Sequence, residues 1–270
     1  MCAAAQPKVG LAQASLAPIR ASGQSVTPAF EGWYRNPDGS FSISFGYFNR
    51  NSKEVFEVPI GPDNSIAPGA ANQGQPTSFQ PRRHWGVFAV IVPANFGAKN
   101  KVTWTLKNRG QNYAISGSLA PAWEIDALQG EAGSENTPPA LRFSETGPEG
   151  RGPGGITVGP LKTAVNTPLT VTVWARDDGK SAGGVAATGR GAAPSVSLAF
   201  FKHQGPGVVT FAPLTARVAA AGGMATTTAT FTVPGEYILR VRANDASGIA
   251  GAGHAQCCWT NEFIRVTVTP

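Results

Sequence analysis

The sequence predicts an all-β protein built as two β-sandwich domains, and three observations predict it. Apolar and polar side chains alternate with a period of two through most of the chain, the spacing that puts one face of a strand in a core and the other in water. Of the 270 residues, 33 are Gly and 22 are Pro, about a fifth of the chain, which punctuates it too often for long helices. Charged residues make up 14% against the roughly one quarter usual in soluble domains. A hydrophobic share of 41% with 14 Phe and 6 Trp still suffices to bury cores, so wholesale disorder is excluded. No apolar run approaches the roughly 18 residues that a membrane-spanning helix needs.

In chain order, residues 1–29 read as a leader or disordered N-terminal segment. They are poor in acidic groups, and Ala12-Gln13-Ala14 fits the small-x-small form of a signal-peptidase site. Cys2 is a second candidate, as a lipidated first residue. Residues 30–130 form the first sandwich. Phe41, Ile43 and Phe45 alternate with serines, and Asn49 to Ser52 mark a turn into Val55 and Val58, which predicts a hairpin. The polar stretch 60–80 reads as a long loop, of the kind that often carries function. The near-continuous apolar run 85–92 reads as a central strand covered on both faces. Val102, Trp104 and Leu106 alternate with Thr and Lys, and Tyr113 with Ile115 supplies a further strand. Residues 131–160, rich in Pro and Gly, read as a linker.

The remaining residues, 161–270, carry strand patterns near 169–174, 196–201, 208–211, 226–233, 237–241 and 264–268. About seven strands in about 110 residues is the spacing of an immunoglobulin-like sandwich. The stretch from Ala229 through Pro234-Gly235 and Tyr237 to Asp245 resembles the penultimate hairpin of bacterial immunoglobulin-like and PKD-type domains. The resemblance covers residues 157–270 and implies a fold but no particular function, because such sandwiches host adhesion, assembly and ligand binding alike. Gly248 to Gln256 and the Cys-Cys pair depart from the short connection the family uses before its last strand.

Several constellations could carry chemistry. Residues 179–183 match G-x-S-x-G, with Ser181, Asp245 and His254 in hydrolase order, but the Gly- and Ala-rich sequence that follows lacks the helix a nucleophile elbow requires. His254, Cys257 and Cys258 have the right atoms for copper or zinc. A vicinal Cys257–Cys258 disulfide competes with that reading, as does simple packing of the two cysteines. Asp177, Asp178 and Asp245 could gather oxygens around calcium, though without the spacing of a known calcium loop. Trp33, Tyr34 and Tyr47 are the aromatics free to be exposed and to stack on a glycan. Arg82-Arg83-His84 is the one dense basic cluster, and the +6 net charge is spread over both halves, too diffuse for nucleic acid. No cofactor fingerprint survives its context test, so no cofactor and no enzyme is expected.

The expected function is therefore that of a non-catalytic, exported structural or interaction protein of the bacterial cell envelope, a subunit of a larger assembly. It would reside outside the cytoplasm, in the periplasm, on the outer surface or secreted. Its partners would be other envelope or surface proteins, with membrane contact only through a lipidated Cys2 and with the last strand, 262–270, pairing to another subunit. Polysaccharide binding through the first-domain aromatics, and copper or zinc at the His/Cys/Cys loop, are the alternatives.

Overall fold

The computed structural model describes residues 19–131, 134–180, 194–245, 247 and 256–270. Cys2, the Ala12–Ala14 site, Ser181 and His254 lie outside the described residues. Within them the fold is all-β, two sandwiches in sequence.

In the first sandwich, β1 (Val26–Arg35), β2 (Phe41–Asn49) and β6 (Arg82–Val92) form one antiparallel sheet in the order β1-β2-β6. A second sheet runs β4 (Asn64–Ala67), β7 (Val102–Asn108), β8 (Gln111–Gly117), and β3 (Phe56–Glu57) pairs with β5 (Ser78–Phe79). The β7–β8 hairpin closes over Arg109 and Gly110, both at positive φ (50° and 72°), the left-handed pair that a two-residue turn needs. Between the sheets, Phe45, Phe88 and Trp104 meet ring to ring at 5.1–6.1 Å. The buried Trp104 Nε1 donates to Asn64 Oδ1 at 2.9 Å, and Asn64 Nδ2 donates to the Val58 and Pro76 carbonyls, so the aromatic core leaves this indole satisfied.

Three expectations for this half need correction. Residues 55–58 do not fold back on β2, because β3 pairs with β5 and β2 lies between β1 and β6. Asn49 and Asn51, read as turn residues, are buried and brace the corner: Asn49 Nδ2 donates to Glu54 O and Phe79 O, and Asn51 Nδ2 to Gln24 O. Strand β6 is an edge strand rather than a central one. Its middle is covered on both sides because the second sandwich lies against Gly86, while Ile91 further along is exposed.

In the second sandwich a five-stranded sheet runs β10 (Thr157–Ala164), β17 (Trp259–Thr269), β16 (Gly235–Asn244), β12 (Ser195–Gln204), β14 (Thr215–Ala219). It packs on a four-stranded sheet ordered β13 (Val209–Ala212), β15 (Gly223–Phe231), β11 (Leu169–Arg176), β9 (Ala140–Arg142). Strand β10 is parallel to β17. Leu198, Phe200, Leu239, Val241, Ile264 and Val266 from one sheet meet Val171, Val173, Ala229 and Phe231 from the other. The Pro234-Gly235 corner passes from β15 in one sheet to β16 in the other, so the expected hairpin is a crossing between sheets. Tyr237 ties that corner: its hydroxyl donates to Val233 O at 2.7 Å and accepts from Gly207 N–H at 3.1 Å, a tyrosine corner of the kind immunoglobulin-like sandwiches use.

Residues 131–160 do more than connect the halves. Strand β9 extends the four-stranded sheet, with Leu141 fully buried in the second core. The expected role of 262–270 is corrected: β17 is internal, flanked by β16 and β10, so its backbone is already satisfied on both sides.

Candidate functional site

Among the described residues the sequence-derived candidates form no shared site, and His254 lies outside them. Trp33 is 4% exposed and Tyr47 is 1% exposed, so neither presents a ring to a sugar. Trp33 Nε1 donates to Ala120 O at 2.8 Å and its ring stands edge-on to Phe41. Tyr47 packs between Phe79 and His84, and its hydroxyl accepts from Gln80 N–H at 2.8 Å; burial pushes that hydroxyl up to about 12. Tyr34 is half-buried on the opposite face of β1, its hydroxyl bonded toward Ser42 and the Gly154 backbone. The three rings share no surface.

The carboxylates of the calcium reading fasten loops. Asp178 Oδ2 accepts from Thr137 N–H and Oγ1 at 3.1 and 2.9 Å, Asp177 Oδ2 from Gly179 N–H at 2.9 Å, and Asp245 Oδ2 from Asn136 Nδ2 at 2.7 Å. Burial holds the Asp177 carboxyl above its usual range. Among the described residues no group of three His, Cys, Asp or Glu is placed to hold a metal ion. The Cys257 and Cys258 sulfurs are in contact, buried beside Ala127 and each 3.7 Å from Asn136 O.

The residues able to do acid, base or charge chemistry gather instead along a seam between the sandwiches. Alternation along β12, β16 and β17 sends Leu198, Leu239 and Ile264 inward and leaves Phe201, Arg240, Arg242, Trp259, Asn261 and Phe263 on the outer face of the five-stranded sheet. The first sandwich covers part of that face. Trp259 Nε1 donates to Gly86 O at 3.1 Å, and Asn261 Nδ2 to Gly86 O and Pro153 O at 2.6 and 2.9 Å. Gly86 has φ +45°, and a Cβ there would lie 2.0 Å from the Trp259 ring, so the contact requires glycine. Arg240 lays its guanidinium over Phe201 at 4.4 Å and donates to Asn261 Oδ1 at 2.9 Å. His84 stacks on Tyr47 and meets Phe201 edge-on.

The 60–80 stretch, expected as one long loop, carries β4 and β5 instead, because Asn64 to Ala67 pair with β7 and Ser78-Phe79 with β3, and it supplies the rest of the seam. Thr77 N–H donates to His203 O at 2.8 Å, His203 Nε2 to Gly74 O at 2.7 Å, and Gln204 Nε2 to Gln75 O at 2.6 Å. Lys202 Nζ reaches Glu57 at 2.9 Å from β12. Glu31, the bulge residue of β1, pairs with Arg83 at 2.6 Å.

Burial governs the charges here. Desolvation, with Arg240 and Arg242 nearby, takes His84 down to about 3; desolvation and Arg240 take His203 to the same value. Both rings are therefore neutral near pH 7. Desolvation brings Arg240 down to about 9 and raises Glu31 against the opposing pull of Arg83. Glu262 rises to about 8 because it is buried, with Glu149 adding to the effect; its Oε1 accepts from Gly150 N–H at 3.0 Å. His84, His203 and Arg240 are enclosed between the lobes, whereas Glu262 is buried within the second sandwich against Gly150.

Of these seam residues, sequence reasoning named Tyr47, which it placed on the surface, Arg83 and His84, which it read only as a basic cluster, and the 60–80 stretch as a loop of functional kind; it gave no role to Arg240, Asn261 or Phe263. Several grooves among the described residues border the seam, one of about 420 Å³ between Phe88 and Phe263, and two others bear on docking. One, of about 360 Å³, is lined from the first sandwich by Val55 and Gln80 and from the second by Phe200, Val208, Phe211 and Leu214. The other, of about 520 Å³, lies on the uncovered part of the five-stranded sheet, over Ser197, Ala199, Thr215, Arg217, Arg242 and Asn244.

No family model matches the chain, and no curated protein matches it. Among solved structures it is similar to one described as the D00-D0 domain of Intimin. That likeness covers 90% of this chain and 100% of the other, at 12% identity and a TM-score of 0.25. At those values no residue of this chain takes a role from it.

Proposed function

We propose that this chain is a non-catalytic structural or interaction protein of the bacterial cell envelope, a subunit of a larger assembly that meets a partner protein at the groove between Gln80 and Leu214. One observation carries the reading: the groove straddles both sandwiches and is walled by apolar side chains, with Val208 63% and Leu214 58% exposed. Large apolar groups held in water at a concave surface are the signature of a docking face rather than of a solvated one. The groove also runs beside β13, an edge strand of its sheet, and unpaired edges invite strand addition.

Two further features support the proposal. His84 and His203 are neutral and enclosed, which suits a scaffold better than a general base. The Cys257 and Cys258 sulfurs touch, and a cystine formed there would fit an oxidising, extracytoplasmic compartment. The test is native size. Gently solubilised envelope extract run on a sizing column is expected to carry the wild-type chain in a complex well above its 27.9 kDa, and Leu214→Asp to release it as a monomer. A wild-type chain that elutes as a monomer overturns the proposal.

A further inference from the structure

We infer that the shelf beside β14 takes an acidic, extended segment of a partner polypeptide. The inference rests on the interaction reading above and names the chemistry of the partner.

The register of the five-stranded sheet lays out the shelf. Asn244, Ser197 and Arg217 fall in one row across β16, β12 and β14, and Arg242, Ala199 and Thr215 fall in the next. Neighbouring strands lie about 4.8 Å apart and same-face residues about 6.8 Å apart along a strand, which puts the Arg217 and Arg242 Cα atoms roughly 12 Å apart. Between them the floor is small and flat, made of Ser197, Ala199 and Thr215. Two guanidiniums thus flank a smooth strip, one at the sheet edge and one at the foot of the first sandwich.

Neither arginine meets a carboxylate among the described residues. Their ion pairs involve Arg35, Arg83, Arg109, Arg151 and Arg176 but not Arg217 or Arg242. Arg242 lies over the Phe201 ring and keeps a buried Nε with no hydrogen-bond partner among the described residues, and so does Arg240 two residues before it. Buried donors in native proteins are nearly always paired, and a guanidinium fork matches a carboxylate in two parallel hydrogen bonds.

The edge decides between an acidic polypeptide and other polyanions. Strand β14 ends the sheet order and pairs only with β12 among the described residues; Ala219 O on its outer side accepts from Gly222 N–H, and the outward backbone groups of Thr215 and Arg217 meet no backbone partner among those residues. Another strand satisfies that row, whereas a sugar chain does not. A chain running along this edge reaches Arg217 directly and, across the small floor, Arg242. An outward Arg on an edge strand discourages addition of a like-charged chain, and this protein carries +6 itself, which disfavours a second copy and favours an acidic occupant.

The probe is a fluorescein-labelled ten-residue peptide of alternating Thr and Glu, titrated by anisotropy against the whole protein. The expected result is salt-sensitive binding that weakens at least tenfold in Arg217→Glu. It should be unchanged in Lys162→Glu, which makes the same charge change at an exposed position of β10 on the far edge of the sheet. Binding should also be lost when alternate peptide nitrogens are methylated. Absence of binding by the wild type overturns the inference, as do equal losses in both variants and full binding by the methylated peptide. Polygalacturonate that binds with the same dependence on Arg217 overturns it in favour of a sugar polyanion. The two readings fail separately. An envelope complex that survives Arg217→Glu but not Leu214→Asp overturns the acidic segment and keeps the groove; absence of any complex overturns the groove, while the peptide titration still decides the shelf.

Discussion

The outer face of the five-stranded sheet has a covered half and an open half. The covered half carries Phe201, Arg240, Trp259, Asn261 and Phe263, the open half Ser197, Ala199, Arg217, Arg242 and Asn244. Both halves come from the same alternation in the same strands. On the covered side, side-chain amide and indole groups find partners on β6 and the 72–80 segment, and the Arg240 guanidinium donates to Asn261 on the neighbouring β17. On the open side neither guanidinium has a hydrogen-bond or carboxylate partner among the described residues, although Arg242 lies over the Phe201 ring at 5.4 Å. The comparison teaches that a polar outer face says nothing by itself about solvent, because what lies across from it decides whether it joins two lobes or waits for a partner.

Substitutions in the covered half sharpen that contrast, and the largest effect is expected at Gly86. Gly86→Val forces a branched side chain into the Trp259 ring and a positive φ, a steric clash in the middle of the seam. Denaturant melts are expected to show a loss of about 4 kcal/mol or more, whereas equal stability would mean that the lobes do not meet there. Trp259→Ala comes next, at about 3–5 kcal/mol for an emptied indole site, measured the same way.

The third effect is a pH profile. Glu262 has a folded-state value raised to about 8, so its contribution to stability is full below its unfolded value near 4.3 and is lost as pH rises through about 8. His84 and His203 run the other way. With folded values near 3, the native state binds fewer protons than the unfolded chain between about 3 and 6.5, and stability rises across that window. Their sum places maximal stability near pH 6.5. Glu262→Gln is expected to remove the decline between pH 6.5 and 8 in denaturation midpoints; a decline that persists in the variant assigns it to another group. The smallest effect is at Arg35→Ala, which opens an exposed pair with Glu124 and is expected to cost less than about 1 kcal/mol.

Much of the strand layout was legible because period-two alternation survives in both lobes. Tyr47 was legible too, in hindsight, since it follows Ile43 and Phe45 at the same parity. Trp33 was not. The bulge at Glu31 shifts the register between Phe30 and Gly32, so the ring that alternation from Phe30 sends outward turns into the core. The seam was hidden for a different reason. Arg240 and Arg242 alternate with Leu239 and Val241 as any solvated face would, and the 72–80 strap is written in Asn, Gln, Gly and Pro, the letters of a free loop. Its backbone bonds to His203 and Gln204 come from tertiary placement, which local pattern does not encode. The two grooves follow from that placement and were equally invisible.

The central claim is that the edge running from β13 into β14 is the face that holds a partner. Leu214 and Met224 test it as a matched pair, 58% and 57% exposed, one at the groove and the other on the outer face of the opposite sheet. A photo-crosslinking amino acid placed at each position in the producing cell is expected to give a discrete higher-mass adduct from position 214 and none from 224. Equal adducts at both positions, or none at either, would contradict the account.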